Sequence, residues 1–344
     1  MNGRLNYLDS ARGIAAILVL VFHSVLRFSE TDENLLPTSY FFQHYFDLGK
    51  IAVTLFFFIS GFVIPYSIDI SSGRRAQVTK KFTISRFFRL YPVFWLSAIL
   101  AFIIYRNRTL DELIINFTMI PELLGARPSI GVYWTLQIEL IFYFFVLIIF
   151  TIGKLDKIRF LFITSLFFLV LSLVIGLLRG LLEVKLPLAL PLALSLMFFG
   201  SYYRHNVLDD DKKAKTYSTY YFLLFILLIP IISILGYNID LGHHETWYKY
   251  TTTYYVGFAM FFVITKIKWS GSILEYFGKI SYSVYLFHPL LIYQIGNTSS
   301  FQEFPGILKM GMVLVSTIMF SHVTYNLVEK PAQNIGRSLK NRVV

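Results

Sequence analysis

Apolar residues in this chain come in long blocks separated by short polar connections. Ten blocks approach the length that crosses a bilayer, around residues 12–28, 50–68, 90–105, 130–150, 160–178, 187–203, 217–236, 251–265, 281–296 and 306–326. A spanning helix needs about 20 mostly apolar residues. Strands of a membrane barrel would alternate in polarity, and these blocks do not. Lipid offers the backbone no hydrogen-bond partner, which leaves the helix as the spanning form. The expected fold is all-α: a polytopic helical membrane protein with about ten transmembrane helices.

The connections add detail. The first block runs into "RFSETDE" without a small-residue cleavage site, so it is expected to stay as the first span. The stretches 29–50 and 106–129 mix apolar and polar residues, which predicts short helices at the outer interface. The run "LDDDKKAK" (208–215) reads as a solvated inner loop. The longest polar stretches are only about 15 to 20 residues. Residues 1–344 are therefore expected to form a single integral-membrane domain with no appended soluble domain. No internal repeat is visible, a weak argument against an inverted-repeat transporter.

Composition agrees: 56% of the residues are hydrophobic and only 15% charged, and mean hydropathy is +0.62. The net charge of +11 would fit nucleic acid, but its distribution argues otherwise. With ten spans and an inner N-terminus, 22 of the 31 lysines and arginines fall on inner segments. That bias is the positive-inside rule, and it predicts both termini in the cytoplasm. No nucleic-acid partner is expected. The absence of cysteine excludes disulfides, thiolate metal sites and a cysteine acyl-enzyme.

Within the blocks, a few polar residues stand out. "LDSARGIAAILVLVFHS" (8–24) places Arg12 and His23 eleven positions apart. Eleven helical residues turn about 20° past three full turns and rise about 16 Å, so both side chains share one face. Asp9 lies three residues before Arg12 and can pair with it. An ionisable group inside a membrane usually faces a cavity or the bundle interior. A neutral imidazole there can take a proton from a hydroxyl near neutral pH; the competing reading is a histidine bonded between helices. "SRFFRLYPVFW" (85–95) opens the third block and carries Arg86 and Arg89 on one face, with Pro92 expected to start or kink the helix. Such a pair can clamp phosphate, or simply anchor the inner end of the span. In "YWTLQIELIFYF" (133–144), Glu139 falls inside the fourth block, either to position or deprotonate an acceptor or to pair with Arg127.

Other features have plainer explanations. Ser60-Gly61 in "FFFISGFVI" reads as close helix packing ahead of a nucleophile. His288, before Pro289, is read as satisfying a carbonyl that the proline frees. His322 and Glu329 are seven apart, hence on one face, and Glu329 can bridge to an inner arginine or mark the helix end before Pro331. His243, His244 and Glu245 cluster outside, but ligand types on a loop are weak grounds for a metal, and none is expected.

Six stretches taken together resemble the family 3 integral-membrane acyltransferases. "LDSARGIAAILVLVFH", "FFFISGFVI", "RFFRLYP", "YWTLQIELIFY", "ISYSVYLFHPLL" and "YNLVEKP" resemble that family's signatures, in order, over nearly the whole chain. Gln137 stands where a serine is common. The hydrolase-like domain that some members carry at the C-terminus is not expected here. The resemblance implies transfer of an acyl group, usually acetyl, from cytoplasmic acyl-CoA (acetyl-CoA) to a hydroxyl of a glycan or lipid-linked saccharide. It implies a multi-pass protein of the bacterial inner membrane, in contact with the lipid bilayer.

On this expectation Arg86 and Arg89, with Glu329, form the donor-binding group. Arg12 lines the donor path, His23 is the general base, and Glu139 acts on the acceptor. The alternatives are a transporter or exporter that uses the same polar residues as a path, and a structural subunit of a polysaccharide-synthesis complex.

Overall fold

A computed structural model describes residues 5–69, 74–105, 108–237 and 246–343. Among these residues all regular structure is helical. In chain order the α-helices are α1 (Asn6–Phe28), α2 (Leu36–His44), α3 (Leu48–Val63), α4 (Arg75–Ile104), α5 (Leu110–Asn116), α6 (Tyr133–Thr151), α7 (Ile158–Leu182), α8 (Ala189–Leu208), α9 (Lys212–Tyr237), α10 (Trp247–Ile267), α11 (Ser272–Asn297), α12 (Gly306–Thr324) and α13 (Lys330–Asn341). A π-helical segment, Tyr325–Glu329, joins the last two.

Among the described residues, seven stretches are long and apolar enough to cross a membrane: α1, α3 extended to Ser67, α4, α6, α7, α9 and Gly306–Asn341. Helices α8, α10 and α11, of 20, 21 and 26 residues, are long enough but less apolar. The reason is where they sit. Residues Pro191 to Tyr203 of α8 are all buried, so this helix needs no lipid-facing stripe. α10 and α11 turn Thr251, Thr253, Thr265, Ser281, Ser283 and His288 inward, which lowers their hydropathy. By contrast Phe167 and Leu181 on α7, Leu223 and Leu227 on α9, and Met319 on α12 are all more than half exposed. Surfaces of that kind are stable against lipid and unfavourable against water. This is a multi-pass membrane protein.

The short helices expected in the two mixed stretches are present, as α2 and α5 with 3₁₀ turns at Glu33–Leu35 and Glu122–Leu124. α4 corrects the third block. It begins at Arg75 and carries Pro92 in its interior, so "RFFRLYP" lies mid-helix and does not open it.

The chain forms two compact units, each assembled from separate segments. One comprises Met1–Phe22, Pro37–Tyr66 and Phe142–Gly278. In it α7 packs on α8 and α9, α3 packs on α8 and α10, and α9 packs on α8 and α10. A Cβ added at Gly61 would stand 1.9 Å from the carbonyl oxygen of Met197, and one at Gly200 would stand 2.5 Å from that of Phe58. Backbones of α3 and α8 therefore touch where the small pair Ser60-Gly61 was expected to pack. Aromatic rings fill the rest, with Phe58 stacked on Phe261 at 4.8 Å.

The second unit comprises His23–Leu36, Ser67–Ile141 and Lys279–Val344. There α13 packs on α4, with Gly336 against the ring of Phe88. The hydroxyl of Tyr282 donates to the Leu90 carbonyl, tying α11 to α4.

Candidate active site

His23 lies on the part of α1 that belongs to the second unit, and its imidazole is half-buried. Its Nδ1 is 2.9 Å from Nε2 of His288 on α11. The two rings lie within 11° of parallel, with centroids 5.2 Å apart. His288 is wholly buried. Its other nitrogen, Nδ1, is 3.0 Å from the carbonyl oxygen of Val284, one turn back. The carbonyl that Pro289 leaves without an amide partner is that of Tyr285. His288 thus bonds that freed carbonyl as well as the one before it, and it also holds His23. Sequence spacing could not reveal this contact, because the two histidines are 265 positions apart.

Buried hydroxyls hold the helices around this pair. Thr135 Oγ1 of α6 lies 2.7 Å from the Tyr285 hydroxyl, which also donates to the Val132 carbonyl at 3.0 Å. Ser97 of α4 bonds the Tyr133 hydroxyl at 2.8 Å and donates to the Leu286 carbonyl at 3.3 Å. Two positions of "YWTLQIE" therefore fasten α6 to its neighbours. Glu139 follows Thr135 by one turn, is half-buried, and acts electrostatically on Tyr285. Gln137 is buried, and its Oε1 has no hydrogen-bond partner among the described residues.

The expected donor group divides. Glu329 is buried at the end of the π-helical segment. It accepts from Ser283 of α11 at 2.9 Å and from Gln333 at 3.2 Å. Arg89 is exposed and acts electrostatically on Glu329. Arg86 instead donates to Ser67 Oγ at 2.5 Å and lies over the Phe82 ring. His322 does not share Glu329's setting: it is exposed, while Glu329 is 5% exposed. The π turn explains the difference, since its wider i→i+5 pairing shifts the phase of everything that follows.

In the other unit, Arg12 pairs with Asp9 at 3.2 Å, as the i,i+3 spacing suggested. Its neighbour Gly13 and Gly278 of α11 let two backbones meet: Cβ atoms there would stand 2.3 Å from the Leu274 carbonyl and 1.9 Å from that of Asp9. The same unit holds a cavity of about 460 Å3 between α8, α9 and α10, lined by Tyr203, Asn206, Lys215, Phe222, Phe262 and Lys268 among others. Of the stretches singled out in the sequence, only "LDDDKKAK" reaches it, through Asp210 and Lys215; none of the expected site residues lines it. Among the described residues, no three His, Asp or Glu side chains are grouped as a metal site. The external cluster His243, His244 and Glu245 lies outside the described residues.

No solved structure matches this chain. Over 299 residues it is 25% identical to a protein of Acidianus two-tailed virus named "Putative acetyltransferase ORF330", covering 81% of each chain. The model of the Acyltransferase domain family (Acyl_transf_3) matches residues 5–326, a range that holds every residue of the site described above except Glu329 and Gln333. On that match the chain belongs to the family 3 acyltransferases.

Proposed function

We propose that this protein is a membrane O-acyltransferase, with acetyl the favoured group, that acylates a hydroxyl of an envelope or exported polysaccharide. The donor is a cytoplasmic acyl-CoA, which acts as a substrate. His23 is the general base. It removes the acceptor's proton as the oxygen attacks the thioester carbonyl. A C–O bond forms, the C–S bond breaks, and the departing coenzyme thiolate takes up the proton that His23 held. Arg86 and Arg89 hold donor phosphates, since guanidinium groups match phosphate geometry. Glu329 limits the charge around Arg89, Arg12 lines the donor path, and Glu139 orients the acceptor. The protein works as a multi-pass protein of a bacterial inner membrane, with about ten spans, both termini inside and no metal.

The observation that best supports this reading is a half-buried imidazole on an apolar helix, bonded through Nδ1 to a second imidazole, in a chain of an acyltransferase family. A transporter has no need of a coenzyme. The test compares O-acetate on envelope polysaccharides, by mass spectrometry, in cells with the wild-type protein, with His23→Ala, or with no copy. Acetate is expected only in the first. Normal acetylation by His23→Ala rejects the assigned role. Release of free coenzyme A from acetyl-CoA by membranes given glycan separates the enzyme from an exporter.

A further inference from the structure

We infer that His288 is a positioning residue that fixes the tautomer of His23, so that Nε2 of His23 carries the lone pair that takes the proton. This rests on the reading of His23 as the base. The argument is a chain of obligatory donors. The Val284 carbonyl can only accept, so Nδ1 of His288, 3.0 Å away, carries a hydrogen. A neutral imidazole has one N–H, which leaves the lone pair of His288 on Nε2. His288 is neutral because it is wholly buried, beside a second imidazole, where an imidazolium would be costly. Its Nε2 faces Nδ1 of His23 at 2.9 Å, so Nδ1 of His23 is the donor. The lone pair of neutral His23 is then on Nε2, the nitrogen turned away from His288.

The arrangement also serves the charged state. When Nε2 of His23 takes the acceptor's proton, Nδ1–H still points at His288, and the bond becomes charge-assisted. His288 gains and loses no proton at any stage. The adjacent Tyr285, whose ring centroid is 6.0 Å from that of His288, has its hydroxyl engaged by Thr135 and the Val132 carbonyl. A backbone carbonyl of α11 thus sets the protonation of a side chain on α1 through one intervening ring.

Three variants test this in full-length protein purified in nanodiscs: His23→Ala, His288→Leu and His288→Gln. The assay is release of coenzyme A from acetyl-CoA in the presence of envelope polysaccharide. A glutamine amide spaces its nitrogen and oxygen much as an imidazole spaces its two nitrogens. It can donate to Val284 and accept from His23, whereas leucine can do neither. His288→Leu is expected to lower kcat about 10- to 100-fold, the size of effect seen when a metal-bound histidine loses the partner that orients it. KM for acetyl-CoA should stay near the wild-type value. His288→Gln should recover most of that loss, and thermal melts should show all variants folded.

An activity-independent reading comes from solid-state NMR of 15N-histidine-labelled protein, with His23→Ala identifying the His23 signals. Wild type should show a protonated Nδ1 and a bare Nε2 at His23, and His288→Leu should mix the two tautomers. Wild-type turnover by His288→Leu, or a folded His288→Gln as slow as His288→Leu, overturns the inference while leaving His23 as base. So does a bare Nδ1 at His23 in the wild type. An active His23→Ala rejects the base assignment itself, and the relay with it.

Discussion

The carboxylate of Glu329 accepts a hydrogen bond from Ser283, 2.9 Å away on α11, although 46 residues separate them. Both groups are buried, so removing the hydroxyl strands an acceptor. Ser283→Ala should destabilise by about 1–3 kcal/mol. Glu329→Gln keeps an oxygen for Ser283 and should cost less. Thermal unfolding in detergent, read by intrinsic fluorescence, checks the order of the two.

The close approach of α3 and α8 distinguishes packing from chemistry at Ser60-Gly61. A Cβ at Gly61 meets the backbone oxygen of Met197, which no rotamer change relieves. Gly61→Ala should cost about 1–3 kcal/mol through overpacking. Ser60→Ala should leave both the melting temperature and the acetyl transfer near wild type. Loss of transfer by a stably folded Ser60→Ala would reinstate the nucleophile.

At Thr135 the hydroxyl, and not the shape, is expected to matter. Thr135→Val keeps the volume but loses the contact with Tyr285, at a cost of about 0.5–1.5 kcal/mol. Thr135→Ser should restore most of it. Equal melting temperatures for the two variants would refute the role given to this bond.

Asp32, outside the spans, responds to pH. Its carboxylate accepts from the amides of Gly306 at 2.6 Å and Asn34 at 3.0 Å, and these bonds hold its pKa below the usual carboxylate range. A depressed folded-state pKa contributes stability that is fully present above the unfolded pKa and is lost as pH falls through the lowered value. Acid should therefore loosen the tie between Asp32 and the start of α12. Asp32→Ala should remove that part of the acid sensitivity, seen as a smaller drop in melting temperature between neutral pH and pH about 3. An unchanged drop would contradict it.

Some contacts could be read from the sequence because their signals are local. The pairing of Asp9 with Arg12 follows from helical spacing and recurs in the fold. The smallness of Gly61 announces a close approach. Hydropathy places the start of α4 too late because its first turns are basic: the apolar run begins only near Leu90, while the backbone hydrogen bonds begin at Arg75. His322 and Glu329 do not share a face because the i,i+7 rule assumes an unbroken α-helix, and a π turn intervenes. Glu329 was legible as a polar residue at a span end; its bonds to Ser283 and Gln333 were not.

By itself, the sequence determined a helical membrane protein, the approximate course of its spans, and its membership of an acyltransferase family. Burial in lipid and i,i+4 geometry act over short stretches, and residue order encodes them directly. Only the tertiary structure decided which polar groups meet: His23 with His288, Thr135 with Tyr285, Ser283 with Glu329. These contacts join helices far apart in the chain. They depend on the packing angle and phase of each helix, which no local pattern records.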